Sequence, residues 1–192
     1  MTINSSIENR GTTLMTPTVR TESINLRRVA IMVDWENMEV PRRKGEIGNL
    51  KQKQLIRIIS QYGNARGVVS VATAVAGFRE RDERAMWLLN VHGIVPQITM
   101  NKKVNGQIQP NAADIHLVVE AVSALMKDPS ITDFILFSGD GGFLPLLRLL
   151  RSQGKKVTIV GPTADSISAH LKREADNWTT IAELIGYNKE EE

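Results

Sequence analysis

The segment Phe134–Leu147, FILFSGDGGFLPLL, runs from an apolar strand into the turn Ser138-Gly139-Asp140-Gly141-Gly142 and then into an apolar helix. A carboxylate delivered by a glycine turn at the carboxyl end of a core strand stands where open α/β sheets place their sites. Val29–Asn37, VAIMVDWEN, repeats the device with Asp34 at the end of a second apolar run. Two such aspartates in one small domain point to a shared metal ion.

Outward from these two segments, strand-like and helix-like stretches alternate, the pattern of βα units on a parallel sheet. Strands are expected at Arg28–Asp34, Gly67–Ala74, Val95–Thr99, Asp133–Ser138 and Lys156–Val160. Helices are expected at Leu50–Gln61, Glu80–Val91, Ala112–Met126, Phe143–Gln153 and Ser166–Ala175. Gly63, Gly93 and Gly154 follow three of those helices and read as C-terminal glycines. The fold class is therefore α/β, a three-layer domain with a central parallel sheet of about five strands flanked by helices and joined by right-handed crossovers. Residues 1–25, rich in Ser, Thr, Asn and Arg without apolar periodicity, read as a flexible arm. One domain spans 26–188, and 189–192 form an acidic tail.

The chain has 192 residues, 42% of them hydrophobic, which is enough for one real core. It contains no cysteine, so disulfides, zinc thiolate sites and cysteine nucleophiles are excluded. His92, His116 and His170 are too scattered for a histidine metal cluster. No stretch approaches the roughly 20 apolar residues of a membrane span, and Met1–Thr21 lacks the apolar segment of a secretory signal, so a cytoplasmic protein is expected. The net charge is +3, yet residues 1–25 sum to zero and 189–192 to −2, which leaves +5 between them. Arg42, Arg43, Lys44, Lys51, Lys53, Lys102 and Lys103 stand close to expected turns. They are compatible with a polyanionic partner, but on their own they read first as a plain solvated face.

A third acid follows from helix geometry. Counting from Asp114, the positions at +3, +4, +7 and +11 are Leu117, Val118, Ala121 and Leu125, an apolar stripe that turns Asp114 toward the sheet. Asp114 also lies in the first turn of its helix, over the sheet edge where Asp34 and Asp140 emerge. Three convergent carboxylates repel one another unless a cation neutralises them, and oxygen donors without Cys or His select a hard ion, Mg²⁺ or Mn²⁺. Each acid has a plainer reading. Asp114 suits the helix dipole with Asn111 as cap, Asp140 suits a glycine turn, and Asp34 suits a strand end. Asn37 suits a cap as well as a substrate or water contact. Glu120, six positions after Asp114, is rotated about 120° away and is not a ligand of the same ion. Trp35, Trp87 and Trp178 read as packing residues, with Trp35 also placed to stack on a base. GDGGF carries neither phosphate-loop pattern, so a nucleotide-binding or phosphotransfer protein ranks last.

Taken in order, these motifs resemble the NYN domain family, the LabA-like (DUF88) branch of the PIN-like nuclease superfamily. The resemblance rests on VAIMVDWENM, ADIHLVVEAV, FILFSGDGGFLPLL, GKKVTIVG and HLKREADNWTTI, and covers most of residues 28–185. It implies a PIN-like sheet and a metal-dependent ribonuclease site. Asp34, Asp114 and Asp140 would hold Mg²⁺ or Mn²⁺, with Asn37 beside them. RNA is the implied partner, and DNA would suit the same chemistry; the sequence permits a homodimer. Arg42, Arg43, Lys44 and Ser138 are the candidate nucleic-acid contacts. Two departures stand out: Gly142 replaces the second aspartate of the family's SGDxD segment, and Asn111 replaces a lysine three residues before the helix aspartate. The first leaves an alternative, a catalytically weak member that binds RNA or a protein partner in a regulatory role.

Overall fold

The computed structural model describes residues 26–99, 103, 104, 107, 108 and 112–187. The expected arm over 1–25, Lys102, Asn111, and the end of the chain with its acidic tail lie outside the described residues. Six strands form one parallel sheet in the order β3-β2-β1-β6-β7-β8. They are β1 (Arg28–Asp34), β2 (Val68–Ala76), β3 (Val95–Ile98), β6 (Asp133–Phe137), β7 (Lys156–Gly161) and β8 (Asn177–Thr180). Two short strands, β4 (Lys103–Val104) and β5 (Gln107–Ile108), pair antiparallel by themselves.

β1 is apolar throughout because both of its faces are covered, as in parallel sheets generally. Val29, Ile31 and Val33 enter one core with Leu55, Ile56 and Ile59 of α2 (Gln52–Asn64) and Leu88 and Leu89 of α3 (Glu83–Val91). Ala30 and Met32 enter the other, with Leu117 and Ala121 of α4 (Ala112–Lys127), Leu146, Leu147 and Leu150 of α5 (Leu144–Ser152) and Leu171 of α6 (Ala169–Glu174). These are the three expected layers. The chain winds outward through β2 and β3 with its helices on one face, crosses back on α4, which packs on β1 and β2, and winds the other way through β7 and β8. Reversing direction while keeping right-handed crossovers moves the helices to the opposite face. The switch point lies between the carboxyl ends of β1 and β6, where open sheets of this kind bind ligands.

The structure corrects several expectations. Helix α1 (Trp35–Arg43) replaces the expected turn, so Arg42 and Arg43 stand in a last helical turn. Pro41 lies inside it and hides it from propensity reasoning. The sixth strand, NWTT at β8, is a short polar edge, and it is followed by the brief helix α7 (Ile181–Leu184). Gly93 and Gly154 have positive φ, 77° and 72°, as C-terminal glycines should. Gly63 does not: it lies within α2, where an added Cβ would come 2.3 Å from Ile31 Cδ1, so it permits close packing of helix on sheet. Trp35 is buried against Phe78, with ring centroids 6.4 Å apart, whereas Trp87 and Trp178 are 64% and 41% exposed and are not core residues. Among the described residues no helix is long and apolar enough to cross a membrane.

Candidate functional site

Val33 pairs with Phe137 across β1 and β6, so Asp34 and Ser138 leave the sheet side by side at the switch point. Asp34 caps α1, its Oδ1 accepting the N–H of Asn37 at 3.1 Å, while its Oδ2 accepts the Ser138 hydroxyl at 3.1 Å. Ser138 Oγ in turn accepts the Asp140 N–H at 3.2 Å. Asn37 reaches back across the switch point, its Oδ1 accepting the Gly139 N–H at 3.1 Å. Asp140 caps the short 3-10 turn Gly141–Phe143, taking the Gly142 N–H at 2.8 Å. The two turns that carry the acids are thus bolted to each other, and Asp34, beyond ending its strand, also caps α1.

Asp34 is only 8% exposed. Burial, reinforced by the negative charge of Asp114, lifts its pKa to about 6 from 3.8, against the hydrogen bonds from Asn37 and Ser138 that lower it. Asp114 is also raised, first by burial, then by the charges of Asp140 and Glu36. Repulsion therefore links Asp34 to Asp114 and Asp114 to Asp140. Glu36 is a fourth acid that sequence reading missed. It acts on both Asp34 and Asp114, and its Oε1 accepts the Gly77 N–H at 3.3 Å. Reading Trp35–Arg43 as a helix would have exposed it, because Glu36 then falls in the first turn over the same sheet edge. Since the Ser138 bond lowers the Asp34 pKa, Ser138→Ala is expected to push that midpoint above its present value and to cost about 1–2 kcal/mol of stability. Carboxyl-carbon NMR titration and urea unfolding measure the two effects.

Two candidate contacts change role. Ser138 is fully buried and supports the acids, so it does not face a polynucleotide. Arg42 is spent internally: its Nε and Nη2 donate to Glu39 at 2.7 and 2.8 Å, and its Nη1 to the Leu50 carbonyl at 3.0 Å. Arg43 and Lys44 remain on the surface, and Arg43 lines a cleft of about 200 Å³ with Trp35, Glu36 and Arg79. Glu120 lies 3.7 Å from His116 Nε2, one turn away on the same helix. A second cavity, about 420 Å³, is lined by Asp114, Ile115, Val118, Val119, Asp140, Gly142 and Phe143. The donor set at the switch point is all carboxylate oxygen, the chemistry of a hard divalent ion. Among the described residues no group of three or more His, Cys, Asp or Glu side chains is placed to hold one.

Comparison with known proteins agrees with this fold. A solved structure of a protein of unknown function from Vibrio parahaemolyticus is similar in fold, with a TM-score of 0.67 at 23% identity over 83% of this chain and 96% of that one. No curated protein sequence matches. Residues 28–182 match the NYN domain, a stretch that begins at β1 and ends in α7 and so takes in the whole six-stranded sheet. The chain belongs to the NYN domain family, within the PIN-like nuclease superfamily.

Proposed function

We infer that the protein is a metal-dependent ribonuclease, with Mg²⁺ or Mn²⁺ held by Asp34, Asp114 and Asp140 and RNA of the cytoplasm as substrate. The observation that supports this reading is the buried Asp34 carboxyl at the sheet's switch point, lifted to about 6 and repelled by Asp114, which is in turn repelled by Asp140. When bound, the ion lowers the pKa of a coordinated water and offsets charge on the phosphodiester. The chain's own residues do the rest. Ser138 and the Asn37 N–H fix the Asp34 carboxylate, and Asn37 also holds Gly139, which keeps the Asp140 turn in register with β1. The Asn37 amide nitrogen offers a donor to a substrate oxygen, and Arg43 and Lys44 supply backbone contacts at the flank. The test is incubation of labelled single-stranded and structured RNA with Mg²⁺, Mn²⁺ or EDTA. Cleavage is expected only with metal, and equal cleavage by wild type and Asp34→Asn would sink the reading.

A second reading is favoured by Gly142 together with the open spacing of the acids: a weakly catalytic member that binds RNA or a protein partner in regulation. Gly142→Asp separates the two. Its Cβ would lie 3.3 Å from Asp140 Oδ1, which sets a fourth carboxylate beside the proposed ion after a shift of a few tenths of an ångström. If the missing acid limits the enzyme, turnover and Mn²⁺ affinity are expected to rise about tenfold, the scale on which supporting groups tune metal sites. An active wild type that Gly142→Asp leaves unchanged would show that three acids suffice.

A further inference from the structure

We propose that the cavity beside Asp114 and Asp140 is a nucleobase subsite that seats one unpaired, amino-bearing base of the polynucleotide; this rests on the nucleic-acid reading above. Its volume of about 420 Å³ lies within the roughly 300–1,000 Å³ of small-molecule sites. Ile115, Val118 and Val119 stand at i, i+3 and i+4 of α4 and therefore share one wall, and Phe143 from the turn after β6 also lines the cavity. Ile115 and Val119 are 65% and 54% exposed, although they sit next to two carboxylates. Gly142 lines the same cavity and contributes no side chain to it.

An aliphatic wall with an acidic rim selects its occupant. A base has apolar faces and N–H donors on its edge, so it can lie against Ile115 and Val119 and still return hydrogen bonds to the acids. An apolar side chain from a protein partner or a second copy would strip water from Asp114 and Asp140 and offer them nothing. Adenine, cytosine and guanine carry an exocyclic amino group that can donate to one carboxylate while a second edge atom faces the other, whereas uracil offers the acids only its ring N3–H, flanked by two carbonyl oxygens that a carboxylate repels. A base stacked in a duplex cannot enter the cavity, so the strand must be unpaired there. The walls are continuous with the acids, so the seated base belongs to a nucleotide at or beside the attacked phosphate.

The test uses the full chain carrying Asp34→Asn, which prevents turnover, and fluorescence anisotropy with short labelled oligo(A), oligo(C) and oligo(U) in Mg²⁺. Oligo(A) and oligo(C) are expected to bind about tenfold tighter than oligo(U), the size of one base contact. Adding Ile115→Ser with Val119→Ser is expected to erase that preference; both residues face solvent, and an unchanged melting temperature verifies the fold. Equal affinity for the three oligomers, or a double variant that binds like its parent, would overturn the proposal. So would a dimeric parent made monomeric by the double variant, since the wall would then be a protein interface. The two readings fail separately. Base preference without metal-dependent cleavage by the wild type sinks the nuclease and leaves the subsite. Cleavage without base preference sinks the subsite alone.

Discussion

Asp34→Asn is expected to raise the stability of the metal-free protein by about 2–3 kcal/mol at pH 8 while lowering RNA cleavage at least about a thousandfold. The first effect follows from burial. The carboxyl titrates at 3.8 in the unfolded chain and at about 6 when folded, so between those values the native state keeps a proton that the unfolded state has released. Stability contributed by this group is therefore present at low pH, falls as pH rises from about 4 to about 6, and stays lower by a constant amount above that. Asparagine is neutral throughout, so the variant's advantage is absent near pH 4 and full by pH 7. Urea unfolding at pH 4, 6 and 8 measures it. The second effect follows because the amide replaces a charged ligand. Mn²⁺ should raise the melting temperature of the wild type and leave that of the variant unchanged. A variant that is less stable than wild type at pH 8 would show that the capping bond to Asn37 outweighs the buried charge.

Gly139→Ala is the second large effect. A Cβ at this position would lie 2.0 Å from the Ser166 carbonyl oxygen and 2.7 Å from its carbon, so the obstacle is backbone. Relief requires the 163–168 loop to move. That loop is held by the Ser168 N–H bond to the Gly139 carbonyl at 2.9 Å and by Ile167, which is buried in the core under β7. Moving Gly139 instead breaks its bond to Asn37 and lets the Asp140 turn drift from Asp34. Either way a loss of about 3 kcal/mol is expected, at the upper end of overpacking costs, with cleavage abolished. Unfolding within about 0.5 kcal/mol of wild type would mean that the loop yields freely. The same stretch offers a contrast, because a Cβ at Gly142 would meet only the Asp140 carboxylate, at 3.3 Å, and substitution there is expected to cost far less.

What could be read from the sequence was set by how directly each feature is written in apolar periodicity. VAIMV and FILF are continuous apolar runs, and β1 begins and ends where expected because both faces of a central parallel strand are buried. β8 was missed since an edge strand such as NWTT has no such run. Asp34, Asp114 and Asp140 were legible because each is a carboxylate at the boundary of an apolar element. Glu36 was not, since its place depends on α1, a helix interrupted by Pro41 and stabilised by a cap that comes from the strand. The roles of Ser138, Arg42 and Gly63 depend on contacts made across 104, 8 and 32 positions of chain, with Asp34, Leu50 and Ile31 respectively, and no local pattern carries them.

The central claim is that Asp34, Asp114 and Asp140 serve one divalent ion. A Mn²⁺ binding isotherm at pH 7.5, recorded for the wild type and for each Asp→Asn variant, tests it most directly. One saturable site is expected in the wild type, weakened at least about tenfold by each of the three substitutions and unaffected by Glu120→Gln. A wild type that binds no Mn²⁺, or a site that survives any one of the three replacements intact, would contradict the account.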